Sequence, residues 1–184
     1  MEPRLLLSNF NLSAPPATSR LRTVTLAGVF LAAALAIQSL RIWTPVIGVL
    51  INALMVVLYY RGGLQGALLL AVATPIGAAI VGVLPVIFIG MVPVLAVGNA
   101  LLIWVYHSLS QRGAVMRVLV PSLGKSLFIG LAGYGVLSAF AIPEALKPLS
   151  LVLLGQQFFT AGIGILFGER VCRAAGVALA RATG

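Results

Sequence analysis

From Thr23 to Arg170 the chain is a series of apolar runs, each close to the length a helix needs to cross a bilayer, separated by short breaks. A hydrocarbon core of about 30 Å needs roughly 20 apolar residues per helix, with about 17 as the lower limit. On that scale the runs predict transmembrane helices over 23–41, 45–60, 63–83, 86–107, 118–141 and 148–170. The breaks are Trp43-Thr44-Pro45, Arg61-Gly62-Gly63, Val83-Leu84-Pro85, Ser110–Arg117 and Pro143–Pro148, and each holds a turn former or a charge. One stretch, Pro85–Pro93 (PVIFIGMVP), reads either as the opening of the fourth helix or as a charge-free loop over the helix ends. Irregular backbone at membrane depth needs cover from protein or a cavity. That favours a loop or broken helix here.

Composition points the same way. Hydrophobic residues make up 61% of the chain and charged residues 8%, against roughly 45–50% and about 25% in soluble domains. The expected fold is therefore an all-α integral membrane protein, a compact bundle of six transmembrane helices over residues 23–172. Residues 1–22, with Pro3, Pro15 and Pro16 among Ser and Asn, read as a partly disordered cytoplasmic tail, and 173–184 as a second tail. A signal peptide does not fit the start, because Glu2-Pro3 replaces a basic n-region and Leu5–Leu7 is too short for an apolar one.

Cations set the orientation. With the N terminus inside, the cytoplasmic segments hold nine arginines: Arg4, Arg20, Arg22, Arg61, Arg112, Arg117, Arg170, Arg173 and Arg181. The external loops hold only Arg41 and Lys147. Such a bias predicts both termini on the cytoplasmic side of a prokaryotic cell membrane crossed several times. The net charge of +9 is thus a topology signal. It does not mark a nucleic-acid surface, which would gather its Lys and Arg on one solvated face.

Against this apolar background the buried polar residues stand out. Asn-Ala-Leu occurs twice, at Asn52 and Asn99, seven and six residues after Pro45 and Pro93. Both helices start from the outside, so at 1.5 Å per residue each amide lies roughly 10 Å below the external boundary. An unpaired amide in hydrocarbon costs several kcal/mol, so both must face the bundle interior. There they either bond neighbouring helices or line an external pocket. Gln38 ends helix 1 beside Arg41 and Trp43, while Gln156, Gln157 and Thr160 lie at a similar level on helix 6. Gln156, Thr160, Gly164 and Gly168 form an i, i+4 stripe, polar above and small below. The upper part suits a ligand and the lower part close helix packing. Lys125 is the one charge within an apolar run. It either faces a functional site or, if Pro121 opens the helix, snorkels to the cytoplasm.

Other chemistry is excluded by what the chain lacks. It has no Asp, and its three carboxylates, Glu2, Glu144 and Glu169, fall outside the apolar runs. An intramembrane proton relay, a carboxylate pair, a Ser/His dyad and a metal site therefore have no residues to build on. No phosphate-binding Gly-rich loop ending in Lys-Ser/Thr is present. The chain is not expected to be an enzyme or to hold a cofactor, and uphill transport would need energy from another subunit. Helix 1 offers a docking face for one: Gly28, Ala32 and Ala36 recur at i+4 and Ala33 widens the stripe. Small residues in that pattern let a second helix approach closely, whether inside the bundle or from a partner.

Over about 150 residues, Arg22 to Val171, the chain resembles the substrate-binding S component of an energy-coupling factor (ECF) transporter, in a subgroup of unassigned substrate. The likeness rests on Ala32-xxx-Ala36, TPVIGVLINALMVV, GALLLAVATPIGAAIVGVLP, PVLAVGNALL and QQFFTAG. The resemblance implies a capture subunit for a vitamin-like or micronutrient molecule bound at the external face. It also implies that Ala32 and Ala36 dock on a transmembrane T component driven by two ATPase subunits. Asn52, Asn99, Gln156 and Gln157 would be ligand contacts. No motif matches the riboflavin, thiamine or biotin members. The residues taken alone also allow an assembly subunit whose polar groups only join helices, or a stand-alone facilitator.

Overall fold

A computed structural model describes residues 20–84, 86–139 and 149–182. The tail up to residue 19 and the break at Pro143–Pro148 lie outside the described residues. Within them the chain is helical: α1 (Arg20–Ser39), α2 (Thr44–Ile80), a short 3-10 helix (Val86–Met91), α3 (Val92–Ser108), α4 (Ala114–Ala139) and α5 (Leu149–Ala182). Four segments are long and apolar enough to cross a membrane: Arg20–Ser39, Thr44–Ile80, Ile89–Ser108 and Ala114–Val136. The protein is thus an all-helical chain of multi-pass membrane character.

Prolines start two of the helices and a glycine divides one. Pro45 and Pro93 stand in the first turns of α2 and α3, where the missing N–H would have no partner anyway. A straight helix as long as α2 would extend about 55 Å, well beyond a bilayer core. At Gly63, φ 76° and ψ −179° break it into two arms, 44–62 and 64–80. Ile47, Gly48 and Asn52 of the first arm and Thr74, Pro75 and Ala78 of the second line one cavity, so the chain doubles back at Gly63. This break falls at the Arg61-Gly62-Gly63 signal. Pro85–Pro93 contains the 3-10 helix and the first turn of α3, the broken-helix form of the two readings. α4 begins at Ala114, earlier than its apolar run, because Ala114–Arg117 supplies a first turn with no breaker. Pro121 is consequently inside the helix. At the other end of the chain α5 continues past Arg173 to Ala182.

α2 is the centre of the bundle, packing on α1, α3 and α5, while α4 packs on α3 and α5. Met55, Val56, Leu58, Leu70, Leu102, Ile103 and Ile165 are fully buried at these contacts. The α2–α5 contact depends on glycine. A Cβ on Gly164 would stand 2.5 Å from Asn52 Cβ and 2.8 Å from the Val49 carbonyl oxygen, and one on Gly168 would meet Ala53 O at 2.9 Å. This is the close packing that the lower half of the stripe implies. Outside, Val29, Leu69, Ile80, Leu131, Phe159 and Ile163 are exposed, an apolar exterior suited to lipid.

The end of the bundle formed by the start of α4 and the end of α3 is tied by an ionic network. Arg117 meets Glu169 through Nε–Oε1 at 2.6 Å and Nη2–Oε2 at 3.0 Å. Tyr106 donates to Glu169 Oε1 at 2.7 Å, and its hydroxyl lies 2.7 Å from that of Tyr60. Arg173 adds a third donor at 3.3 Å. His107 Nδ1 lies 2.9 Å from the Tyr59 hydroxyl.

Candidate functional site

At the opposite end the helices diverge around a cavity of about 660 Å³. Its wall takes Gln38 from α1, Arg41 and Thr44 from the α1–α2 junction, and residues of both α2 arms. Met91, Leu95 and Asn99 come from the 3-10 helix and α3, Lys125 from α4, and Gln156, Gln157 and Thr160 from α5. The cavity reaches the surface near Arg41 and Ile42, both exposed. Eight polar positions distributed over 120 residues of sequence therefore converge: Gln38, Arg41, Asn52, Asn99, Lys125, Gln156, Gln157 and Thr160.

Trp43 is not among the lining residues. It is the N-cap residue of α2 and is 75% exposed, a position in which an indole suits the membrane–water interface.

Lys125 does not snorkel. Because α4 starts at Ala114, Lys125 sits about three turns inside the helix. Its side chain turns inward, 3% exposed, and Nζ donates to Asn52 Oδ1 at 2.7 Å. Asn52 is held in place by the bare backbone of α5 at Gly164. One of the two matched asparagines thus orients the only lysine amine in the described membrane helices.

The second asparagine does something different. Asn99 Nδ2 donates to the Ala71 carbonyl oxygen at 3.3 Å. Ala71 lies four residues before Pro75, which has no N–H to offer it. Asn99 therefore satisfies the carbonyl that the proline leaves open, as neighbouring helices commonly do within membranes. Next to it, Thr74 Oγ1 donates to Leu70 O at 2.6 Å. Ala-Thr-Pro on the second arm of α2 and Asn-Ala-Leu on α3 form one local structure in the cavity wall.

Gln38 is 8% exposed, and its side-chain carbonyl oxygen is the one buried side-chain polar atom without a hydrogen-bond partner among the described residues. Thr160 is buried, turned toward Gly48, with Oγ1 donating to its own helix at Gln157 O over 3.3 Å. Arg41 adopts φ 49°, a left-handed conformation that costs a non-glycine residue about 1–3 kcal/mol.

The small-residue stripe of α1 faces away from the bundle. Thr23, Ala27, Ala34 and Gln38 are the buried positions of this helix, while Gly28, Ala32, Ala33 and Ala36 are exposed. A Cβ on Gly28 would meet nothing within 4 Å. Close packing within the described bundle does not use this face.

The Arg117–Glu169–Tyr106 network was not foreseen from the sequence, where Arg117 and Glu169 count only as flanking charges. The available signal was a lone glutamate at the end of an apolar run beside Gly168. Comparison with known protein families, curated proteins and solved structures finds no match.

Proposed function

We propose that this chain is the substrate-capture subunit of an ECF-type importer, a six-span protein with both termini in the cytoplasm. It binds a small vitamin-like or micronutrient molecule in the polar cavity at its external end. The six spans correspond to α1, the two arms of α2, α3, α4 and α5. The arginine-rich end, with Arg61, Arg112, Arg117 and Arg170, lies in the cytoplasm by the positive-inside rule. The observation that carries the reading is the cavity. Helices joined only by polar contacts would consume their amides among themselves, whereas here Gln38 is unsatisfied and a buried lysine amine lines about 660 Å³ of space. Small-molecule sites have volumes of about 300–1,000 Å³ and a few convergent polar groups.

The outward stripe Gly28, Ala32, Ala33 and Ala36 is the docking face for a transmembrane T component that two ATPase subunits drive. Close approach of a partner helix needs such a face, and no helix described here occupies it.

The test is ligand binding and energised uptake measured side by side. A ligand should raise the melting temperature of the purified chain. Ala32→Leu with Ala36→Leu should abolish uptake by the assembled transporter and leave that shift unchanged. Uptake into vesicles lacking any ATPase partner would identify a facilitator instead. A second reading, a ligand-free assembly subunit, draws on the Asn99–Ala71 bond, which is interhelical glue. A broad panel with no stabilising compound would favour it.

A further inference from the structure

Resting on the capture reading, we infer that the cavity selects a small organic acid. The ligand's carboxylate pairs with the Lys125 ammonium, and an N–H or O–H on the same molecule donates to the Gln38 side-chain carbonyl.

The charge inventory leads to this chemistry. An ammonium has three protons to donate, and the hydrogen bond found for Lys125 goes to a neutral oxygen, Asn52 Oδ1. At a buried position the ammonium form of a lysine is stable only beside a counter-charge. The lining contains Arg41 and Lys125 but no Asp or Glu. Among the described residues the sole carboxylate is Glu169, at the far end of the bundle and fully engaged by Arg117, Arg173 and Tyr106. Among the described residues no anion completes Lys125, and a ligand entering the cavity is the partner we assign to it. A cationic ligand would meet two like charges and no anion.

Gln38 supplies an independent second constraint. Gln38 lines the same wall and its buried oxygen accepts nothing, so a turn of the side-chain amide toward the cavity gives that oxygen a ligand donor. Ile47, Ile51, Met91 and Leu95 complete the lining with apolar surface. That surface calls for a carbon skeleton, and a bare inorganic anion would leave most of the space unfilled. A site whose buried polar groups require partners discriminates strongly against analogues that lack them.

The experiment uses the purified full-length chain in detergent and pairs of compounds differing only in charge: nicotinate and nicotinamide, mandelate and mandelamide, N-acetylalanine and its primary amide. Simple amines complete the panel, and melting temperature and affinity are read for each. The expected result is stabilisation by one or more acids, with affinity at least tenfold weaker for the matched amide. Lys125→Met should remove that preference and Lys125→Arg restore part of it. Gln38→Leu should weaken acids that carry a donor at least tenfold and leave donor-free acids unchanged. This second variant, and the acid–amide comparison on the unaltered chain, decide the matter even if Lys125→Met does not fold. Because Glu144 is outside the described residues, Glu144→Gln is included and should retain the acid preference. Equal binding of acid and amide, preference for an amine, or loss of the acid preference in Glu144→Gln overturns the inference while leaving a capture subunit. No stabilisation by any acid, amide or amine removes the capture reading and the inference with it.

Discussion

Lys125 on α4 donates a 2.7 Å hydrogen bond to Asn52 on α2, joining two helices whose partners lie 73 residues apart in sequence. The bond aligns a buried ammonium with the cavity, and its strength is measurable. Asn52→Leu strips Lys125 of this acceptor, and the loss of a buried hydrogen-bond partner costs about 1–3 kcal/mol. Combining Asn52→Leu with Lys125→Met in a double-mutant cycle should give a coupling of about 0.5–3 kcal/mol. Unfolding in mixed detergent reads it, and strictly additive losses would show that the two residues do not cooperate.

The far end should be more sensitive to a single charge. Glu169 is nearly inaccessible and holds Arg117 in a two-point ion pair. Removing one partner of a buried pair costs about 3–5 kcal/mol because the other is left uncompensated. Glu169→Gln should therefore lower stability more than any substitution in the cavity. Arg117→Met combined with Glu169→Met should recover part of the loss. If the double variant is as unstable as the sum of the two single ones, the ion pair is not what the network contributes.

Glycines separate by their surroundings. Gly164→Leu forces a side chain into Asn52 and the Val49 carbonyl, and overpacking of that kind costs about 1–3 kcal/mol or more. Gly28→Ala, with nothing within 4 Å, should leave the melting temperature of the isolated chain unchanged. A destabilised Gly28→Ala protein would place the α1 stripe inside a packed contact.

Arg41 should show stability and binding moving in opposite directions. Its positive φ is a conformation that glycine adopts without strain. Arg41→Gly should accordingly relieve that strain, partly offset by the extra backbone freedom glycine loses on folding, for a net gain of up to about 1 kcal/mol, while weakening capture of an acid at the cavity mouth. Thermal unfolding with and without an organic acid separates the two effects.

Cys172 should be a slow nucleophile. Burial pushes its thiol above the ordinary value, with Glu169 acting in the same direction and Arg61 against. Only the thiolate reacts, so at neutral pH alkylation should lag behind that of a free thiol such as glutathione. The rate should continue to rise at pH values where the free thiol has reached its plateau. Maleimide labelling followed by mass spectrometry checks this, and a rate matching glutathione at pH 7 would show a solvated sulfur.

Much of the cavity was legible because hydrocarbon punishes unpaired polar groups. Asn52, Asn99, Gln38, Gln156 and Gln157 were legible as inward-facing from depth alone, and all line one space. Lys125 was ambiguous because its fate turned on where α4 begins, and helix starts are weakly encoded when no cap residue marks them. Trp43 is two residues from Arg41 in sequence, yet it does not line the cavity. Successive residues at a helix start point in different directions, and this one points out. The two asparagines looked equivalent at matched depth, yet one orients a lysine and the other serves a backbone carbonyl. That division depends on which neighbours face them, Lys125 and Pro75, and spacing along a single chain does not carry it. Glu169 was hidden for the opposite reason: a charge at the end of an apolar run usually flanks the membrane, and its burial here follows from donors on two other helices, Arg117 and Tyr106, and from Arg173 one turn along its own.

The bond between Asn99 and Ala71 makes Pro75 and Asn99 a suppressor pair in the genetic sense. A lesion at Asn99 should be repaired by Pro75→Ala, because an alanine at that position regains the N–H that serves Ala71 from within its own helix. The same logic fixes the order in which these residues can be exchanged without passing through a weakened protein: the proline must go before the asparagine.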